Sequence, residues 1–447
     1  MQMGFTRVFT DGSPTPFSRN NNPTTDWSNW HNKRTTLSAA LEHRFNEDWQ
    51  AQLAYSHSSR DWAFKTGIAG GFLAPPLALD GMGIMSLRNN LSESRGDALD
   101  TRLNGRYTLW GRQHELVAGF NASDTDLKTR GLNVWDTGDS VQVLGWDGSG
   151  YPEPDWSAYT FYSSATRTKQ SGAYLATHLH ATDDLSFIVG ARWSNWKTRA
   201  LRDGAVTDDR KESSVFTPYA GIVYDLTRQV SAYVSYTEIF NPQSTKDVNG
   251  RLLAPETGKN LELGLKGEWF GGRLNASAAV FRSGKDNLAV ADGNNQTSEG
   301  GQAYVAADDT KVRGLDVEVA GELAPGWQMQ GGYTRTVLRD SSGQRLNTHM
   351  PKHQVKLFTT WTPANLNRLT VGGGVLWQSE TYLASAGTQF SQKSYALVNL
   401  MANYAFDDHL SLALRLNNVF DKIYYTYPSS HYYGAPRNLY ATLKYRF

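Results

Sequence analysis

The chain has no cysteine among its 447 residues, so it can form neither a disulfide nor a thiolate metal site. It has no long apolar run. Nothing approaches the roughly 18 consecutive apolar residues that a transmembrane helix requires, which excludes a helical membrane protein. Net charge is almost absent: 44 basic side chains stand against 43 acidic ones, so no electrostatic excess argues for a nucleic-acid partner. The opening Met1-Gln2-Met3-Gly4 has no secretory signal peptide.

What the chain has is aromatic residues (12%), 41 glycines and alternation. From Asn438 to Phe447 the alternation is unbroken. Leu439, Ala441, Leu443, Tyr445 and Phe447 fall on one face, and Asn438, Tyr440, Thr442, Lys444 and Arg446 on the other. The same pattern recurs throughout. It predicts hairpins at 32–44 with 48–65, 92–109 with 113–130, 158–180 with 184–200, and 213–225 with 229–239. Further pairs are 259–269 with 273–283, 302–322 with 327–339, 352–363 with 368–381, and 392–405 with 409–419, before a last strand over 435–447. That is about 17 strands, with short turns inside pairs and long connections between them, such as 66–91, 131–157, 240–258, 284–300 and 420–434. Alternating short turns and long loops are the pattern of an all-β, antiparallel transmembrane β-barrel. With the last strand running toward the periplasm, residues 1–31 are expected to be an extracellular loop.

Several segments resemble TonB-dependent siderophore receptors. They are Ala232 to Gln243 (AYVSYTEIFNPQ), Leu253 to Lys266 (LAPETGKNLELGLK) and Val312 to Glu318 (VRGLDVE), then Leu416 to Lys422 (LNNVFDK) and Tyr432 to Asn438 (YYGAPRN). They cover most of the chain in the family's order. The opening, Asp11 to Arg19 (DGSPTPFSR) and Asp26 to Trp30 (DWSNW), is similar to the subgroup taking ferric hydroxamates, coprogen or pyoverdine. The stretch Thr237 to Gln243 lacks the pattern of the family's heme receptors. Family barrels have 22 strands and a plugged lumen, so about 17 strands imply that roughly five are missing, with the plug domain, TonB box and signal peptide. The chain, 1–447, is then expected to be an N-terminally incomplete receptor barrel. Two strands near 32–44 and 435–447 would have an uncovered edge, costly in lipid.

Parity assigns faces. In 48–65, Trp49, Ala51, Leu53 and Tyr55 point to lipid, and Gln50, Gln52, Ser56, Ser58, Arg60 and Trp62 to the lumen. In 184–200, Leu185, Phe187, Val189, Ala191 and Trp193 face lipid, and Arg192, Ser194 and Trp196 the lumen. In 368–381, Leu369, Val371, Val375 and Trp377 face lipid, while Tyr382 beyond has lumen parity. Arg60, Trp62, Trp196 and Tyr382 sit toward the outer ends and are candidates to line a vestibule: rings give rigid contact area, and a guanidinium meets an anionic chelate. Trp27, Trp30, Trp146, Tyr432 and Tyr433 are the loop candidates, since the family binds its ligand with loop aromatics and plug residues together. For each candidate the plainer alternative is packing within a loop or against the plug.

Enzyme motifs are wanting. Asp147-Gly148-Ser149-Gly150 is not the G-x-S-x-G of a nucleophile elbow, and Thr257-Gly258-Lys259 lacks the first half of a P-loop. His178 and His180 share a strand face and have the donor type for a metal, although polar lumen residues are the simpler reading. The resemblance implies no cofactor, since iron arrives already chelated. It implies an outer-membrane receptor for a ferric siderophore, with lipid around the barrel and TonB engaging the missing N-terminal region. The alternatives are a passive porin-like channel and a nonfunctional receptor fragment.

Overall fold

The computed structural model describes residues 4–71, 75–297, 301–385, 388–428 and 432–447. Its long strands are β1 (Asn29–Arg44), β2 (Trp49–Ala69), β3 (Met82–Leu109), β4 (Arg112–Val134), β5 (Tyr162–His180) and β6 (Leu185–Arg202). They continue as β7 (Ala205–Asp225), β8 (Val230–Asn241), β9 (Glu256–Trp269), β10 (Leu274–Asp286), β11 (Thr310–Ala324) and β12 (Trp327–Arg339). The series closes with β13 (His353–Trp361), β14 (Leu369–Gln378), β15 (Tyr395–Ala405), β16 (Leu410–Asn417) and β17 (Asn438–Tyr445). Among the described residues no helix is long and apolar enough to cross a membrane, a statement that does not bear on strands.

The chain divides into two compact units, 1–222 with 236–259 and 286–308, and 223–235 with 260–285 and 309–447. Within the first, β1 to β6 pair consecutively and antiparallel. Within the second, β10 to β17 do the same. Consecutive hairpins satisfy almost every backbone group locally, the arrangement that lipid demands of a strand protein.

Several strands outrun the expectation. β2 reaches Ala69 and β3 starts at Met82, where a 66–91 loop was read. β6 and β7 meet at a two-residue turn, Asp203-Gly204, in place of a long connection. Both turn residues have positive φ, 50° and 82°, the geometry of a tight hairpin whose twist matches its strands. The predicted strand 302–322 is two: Gln302–Ala307 pairs with Leu288–Gln296 as a separate ribbon, and β11 restarts at Thr310 after Asp309 turns through φ 51°. A second ribbon, Thr381–Ser385 with Thr388–Gln392, and a third, Tyr425–Tyr427 with Tyr432–Tyr433, lie in outer connections of the second unit.

The two faces differ in kind. In the first unit Leu53, Tyr55, Leu99, Phe120, Leu175, Val189 and Trp193 share one face, each between 36% and 49% exposed. In the second, Val280, Val317, Leu357, Val375 and Leu400 are exposed in the same way. A continuous exposed apolar face of this extent is foreign to water-soluble monomers. All sixteen residues of β1 are exposed, and so is all of β17 after Asn438.

The opposite face uses glycine as a seat for rings. Tyr174 lies over Gly119, Tyr219 over Gly190, Phe281 over Gly314 and Phe358 over Gly374, leaving no room for a Cβ. Each ring lies against a strand neighbour and covers exposed backbone. Gly314→Val should therefore force Phe281 out and clash with the Arg335 carbonyl, lowering stability by about 1–3 kcal/mol. Gly284→Ala, in open space, should be neutral within about 0.5 kcal/mol. Denaturant unfolding of the micelle-bound chain, followed by tryptophan emission, would test the pair. Equal effects would refute the seating.

Candidate functional site

The apolar core that a soluble domain would hold between layers lies here among the outer loops of the first unit. Phe5, Phe17, Leu77, Met85, Val143 and Trp146 form a buried cluster contributed by residues before β1, the β2–β3 connection, the start of β3 and the segment after β4. Trp146 is 9% exposed, and its indole N–H donates to the Thr24 carbonyl at 3.2 Å. Trp27 donates to the Tyr151 carbonyl at 3.0 Å and meets Trp156 edge-on at 5.8 Å. Both indoles thus hold loop to loop, and Asp26 N–H adds a bond to the Gly148 carbonyl at 3.0 Å. Tyr151 donates to Asp139 at 2.7 Å, and burial together with that carboxylate pushes its hydroxyl up to about 12.

One strap ties this loop core to the sheet. Lys65, near the end of β2, reaches Glu153 at 2.6 Å, and Trp156 donates to the same carboxylate at 2.8 Å. The Lys65 ammonium, then the Trp156 N–H, hold the Glu153 carboxyl below its ordinary value.

The polar face below the loops gathers guanidinium groups and rings. Register places Trp30 opposite Phe64, Asn32 opposite Trp62 and Arg34 opposite Arg60. Three of the candidates, Trp30, Arg60 and Trp62, therefore share a face. Arg60 lies 4.9 Å from the Trp62 ring centre and donates to Asn32 at 3.1 Å. Two like pairs continue along this end: Arg88 stands 4.9 Å from the Trp135 ring and Arg202 3.9 Å from the Tyr162 ring. Beside them the Asn133 side-chain oxygen is buried with no hydrogen-bond partner among the described residues. A buried orphan acceptor is uncommon enough to mark a place where a ligand group can bind. Trp196 is on the same face of β6 but six residues below Arg202, about 20 Å along the strand. It is buried beside the sheet wall and does not join the cluster.

In the second unit the outer ribbons carry the tyrosines. Tyr382 binds the Thr348 carbonyl through its backbone N–H at 3.0 Å, and Arg345 approaches its ring at 5.8 Å. Tyr433 packs on Tyr425 at 4.9 Å, the Tyr432 carbonyl accepts from Thr426, and Tyr395 stacks on Tyr424 at 4.6 Å. Gln392 accepts from Tyr425 N–H at 2.8 Å, so the ribbon carrying Tyr382 and the one carrying Tyr432 and Tyr433 are tied together. His178 is engaged by Ser186 at 2.9 Å and by Glu115 at 3.4 Å. Among the described residues no group of three histidine or acidic side chains is set to hold a metal.

Phe64, Arg88, Trp135, Tyr162 and Arg202 were missed by the sequence reading. Their signal was strand length: Arg88, Trp135 and Arg202 fell in stretches read as connections.

Residues 2–419 match the family model described as TonB dependent receptor-like, beta-barrel. The chain belongs to the TonB-dependent receptor β-barrel family. Among curated relatives of this family, the ferripyoverdine receptor of Pseudomonas aeruginosa is 35% identical over 98% of this chain and 54% of its own length. The ferric-pyoverdine BN7/BN8 receptor of Pseudomonas putida is 37% identical over 100% and 55%. The solved pyoverdine outer membrane receptor of Pseudomonas aeruginosa superposes with a TM-score of 0.87 at 34% identity, over 100% of this chain and 66% of that one. The chain spans about half the length of these curated relatives. As a receptor barrel, its polar sheet face is the interior one and its apolar face meets lipid.

The strap predicts a pH response. Glu153 is depressed in the folded chain, so its contribution is complete above the ordinary value of 4.5 and is lost as pH falls below it. Trp156 emission should shift on acidification below about 4.5 and, in Lys65→Met, should lose that transition. An unchanged profile in the variant would show that the strap carries no coupling.

Proposed function

We propose that this chain serves in the capture of a ferric siderophore at the outer membrane of a Gram-negative bacterium, the ligand being a ferric chelate of the pyoverdine type. The observation that carries the reading is the set of three arginine–aromatic pairs, Arg60 with Trp62, Arg88 with Trp135 and Arg202 with Tyr162. They line the outer end of the interior face in a chain 35–37% identical to ferric-pyoverdine receptors. Guanidinium groups held over rings concentrate positive charge where anionic oxygens would arrive, and the rings offer flat contact to a chelate's aromatic parts.

In this reading residues 1–447 supply the barrel and its extracellular loops, with 1–31 on the outer side. Trp30, Arg60 and Trp62 contact the ligand from one strand pair. Tyr382, Tyr432 and Tyr433 contribute from the tyrosine ribbons. Trp27 and Trp146 act indirectly by holding the loop core, and Trp196 sits deeper along the path. Iron enters as substrate, already chelated, and the protein needs no metal or cofactor of its own. Energy for passage comes from TonB acting on a plug encoded outside this chain. Nothing in the reading calls for bond-making chemistry.

The chain in maltoside micelles should bind a ferric pyoverdine with quenching of tryptophan emission. Arg202→Ala and Arg60→Ala should each weaken binding about tenfold, the worth of one partly desolvated guanidinium contact. Arg112→Ala, at the other end of β4 beside its turn with β3, should not. Full affinity in both arginine variants would sink the reading.

A further inference from the structure

At the outer end of the interior face of the first unit, neighbouring polar side chains are paired at ordinary lengths. Ser92 and Thr129, directly opposite each other, join hydroxyls at 2.9 Å. Thr66 accepts from Ser28 at 2.9 Å, and Ser86 donates to the Trp135 carbonyl. Three side chains among them are only loosely tied. The Asn133 amide nitrogen reaches the Tyr162 hydroxyl at 3.5 Å, and that hydroxyl reaches Asn90 Oδ1 at 3.5 Å. Both distances lie at the outer limit of a hydrogen bond. Asn133 Oδ1 is buried and meets no donor among the described residues, and Asn90 is itself 8% exposed.

The sheet itself gathers the trio. Gly131 is directly opposite Asn90 on one side and Tyr162 on the other. A Cβ there would stand 2.3 Å from Asn90 Oδ1 and 2.5 Å from the Tyr162 ring, so only glycine lets both side chains fold over this backbone. An unmet buried acceptor costs stability that an apolar side chain of similar shape would not. The surroundings decide which ligand group can meet it. Arg88 is directly opposite Asn133 and lies 4.9 Å from the Trp135 ring, while Arg202 covers the Tyr162 ring at 3.9 Å. Two guanidinium groups disfavour a cationic donor such as an ammonium. The side-chain oxygens of Asn133 and Asn90 disfavour an anionic one. What fits is an uncharged donor, a hydroxyl or an amide N–H. Trp62, Ser92 and Thr129 share a rung, and Asn133 is four residues farther along β4, about 14 Å at ~3.4 Å per residue. A ligand seated at Arg60 and Trp62 must extend an arm to reach it.

We propose that Asn133, with Asn90 and Tyr162, forms a subsite that reads an uncharged hydrogen-bond donor on an arm extending from the ferric chelate, while the arginine–ring pairs take the chelate's anionic oxygens. The inference rests on the capture reading and adds a specificity element to it. A chelate whose arm carries no such donor leaves Asn133 Oδ1 unmet and is discriminated against for that reason.

The test uses the full chain in maltoside micelles, titrated with ferric pyoverdine and read by tryptophan quenching. Asn133→Leu should weaken binding about five- to tenfold, the worth of one neutral hydrogen bond withdrawn from a buried donor. The loss should be the same at low and high salt, because no charge is involved, whereas the loss in Arg202→Ala should shrink as salt rises. Without ligand, Asn133→Leu should melt at the same temperature as the parent or higher, because it removes an unmet acceptor. Full affinity in Asn133→Leu would overturn the proposal. A salt-sensitive loss would do the same, since it would assign a charged group to the subsite. So would a ligand-free variant that melts below the parent or does not fold, since Asn133 would then be part of the protein's own hydrogen bonding. Arg202→Ala separates the two readings. Weakened binding there beside full affinity in Asn133→Leu would remove the subsite alone. A parent chain that does not bind ferric pyoverdine would remove the capture reading, and the subsite with it.

Discussion

A backbone that crosses lipid must find every hydrogen-bond partner within the protein, and the rest of this structure follows from that constraint. Consecutive antiparallel hairpins meet it with local pairing, as in β1 to β6 and in β10 to β17. Pairing of that kind gives every strand two faces with different solvents. One is greasy and exposed, with Leu53, Phe120 and Leu175 as examples. The other is polar and is covered where rings such as Tyr174 and Phe281 fold onto glycine backbone. A wall one sheet thick has no interior of its own, so conventional packing is displaced to the loops, where Phe5, Leu77 and Val143 are buried.

That displacement shapes function. The loop core orders the outer end of the first unit, and a lysine–glutamate–tryptophan strap couples it to β2. Beneath it the polar face presents arginines already oriented over rings. On the proposed capture reading, an anionic chelate meets donors whose conformational freedom is largely spent before binding, which favours affinity. On the other side of the same strands the register sets Lys169 opposite Lys197 and Arg167 opposite Arg199. Alternation allows two surfaces of different character to be written along one strand without interference, since neighbouring residues point to opposite solvents.

Much of this was legible in the chain. Alternation over 435–447 and the short turn at Asn46 to Asp48 located strands to within a few residues, and parity placed Arg60, Trp62 and Trp193 on the faces they occupy. Strand ends were not legible. Met82 to Leu91 and Arg202 lie where polar and apolar residues no longer alternate cleanly, because beyond the membrane both faces meet water and the selection that produces alternation lapses. Arg88, Trp135 and Arg202 were overlooked for that reason. Trp146 and Trp27 read as ligand candidates because exposure to a ligand and burial in a loop core ask for the same residue type.

The sequence alone determined what repeats along the chain: strand periodicity, the face each side chain takes, the short turns, and the motifs of the receptor family. These depend on neighbours close in sequence, where backbone geometry leaves few options. Only the tertiary structure decided what depends on register and on loops returning from far away. It placed Arg202 over Tyr162, Trp146 against the Thr24 carbonyl, and Lys169 directly opposite Lys197. A shift of one residue in any pairing would move these side chains to the other face, and no local pattern within a single strand specifies which residue of its neighbour it will meet.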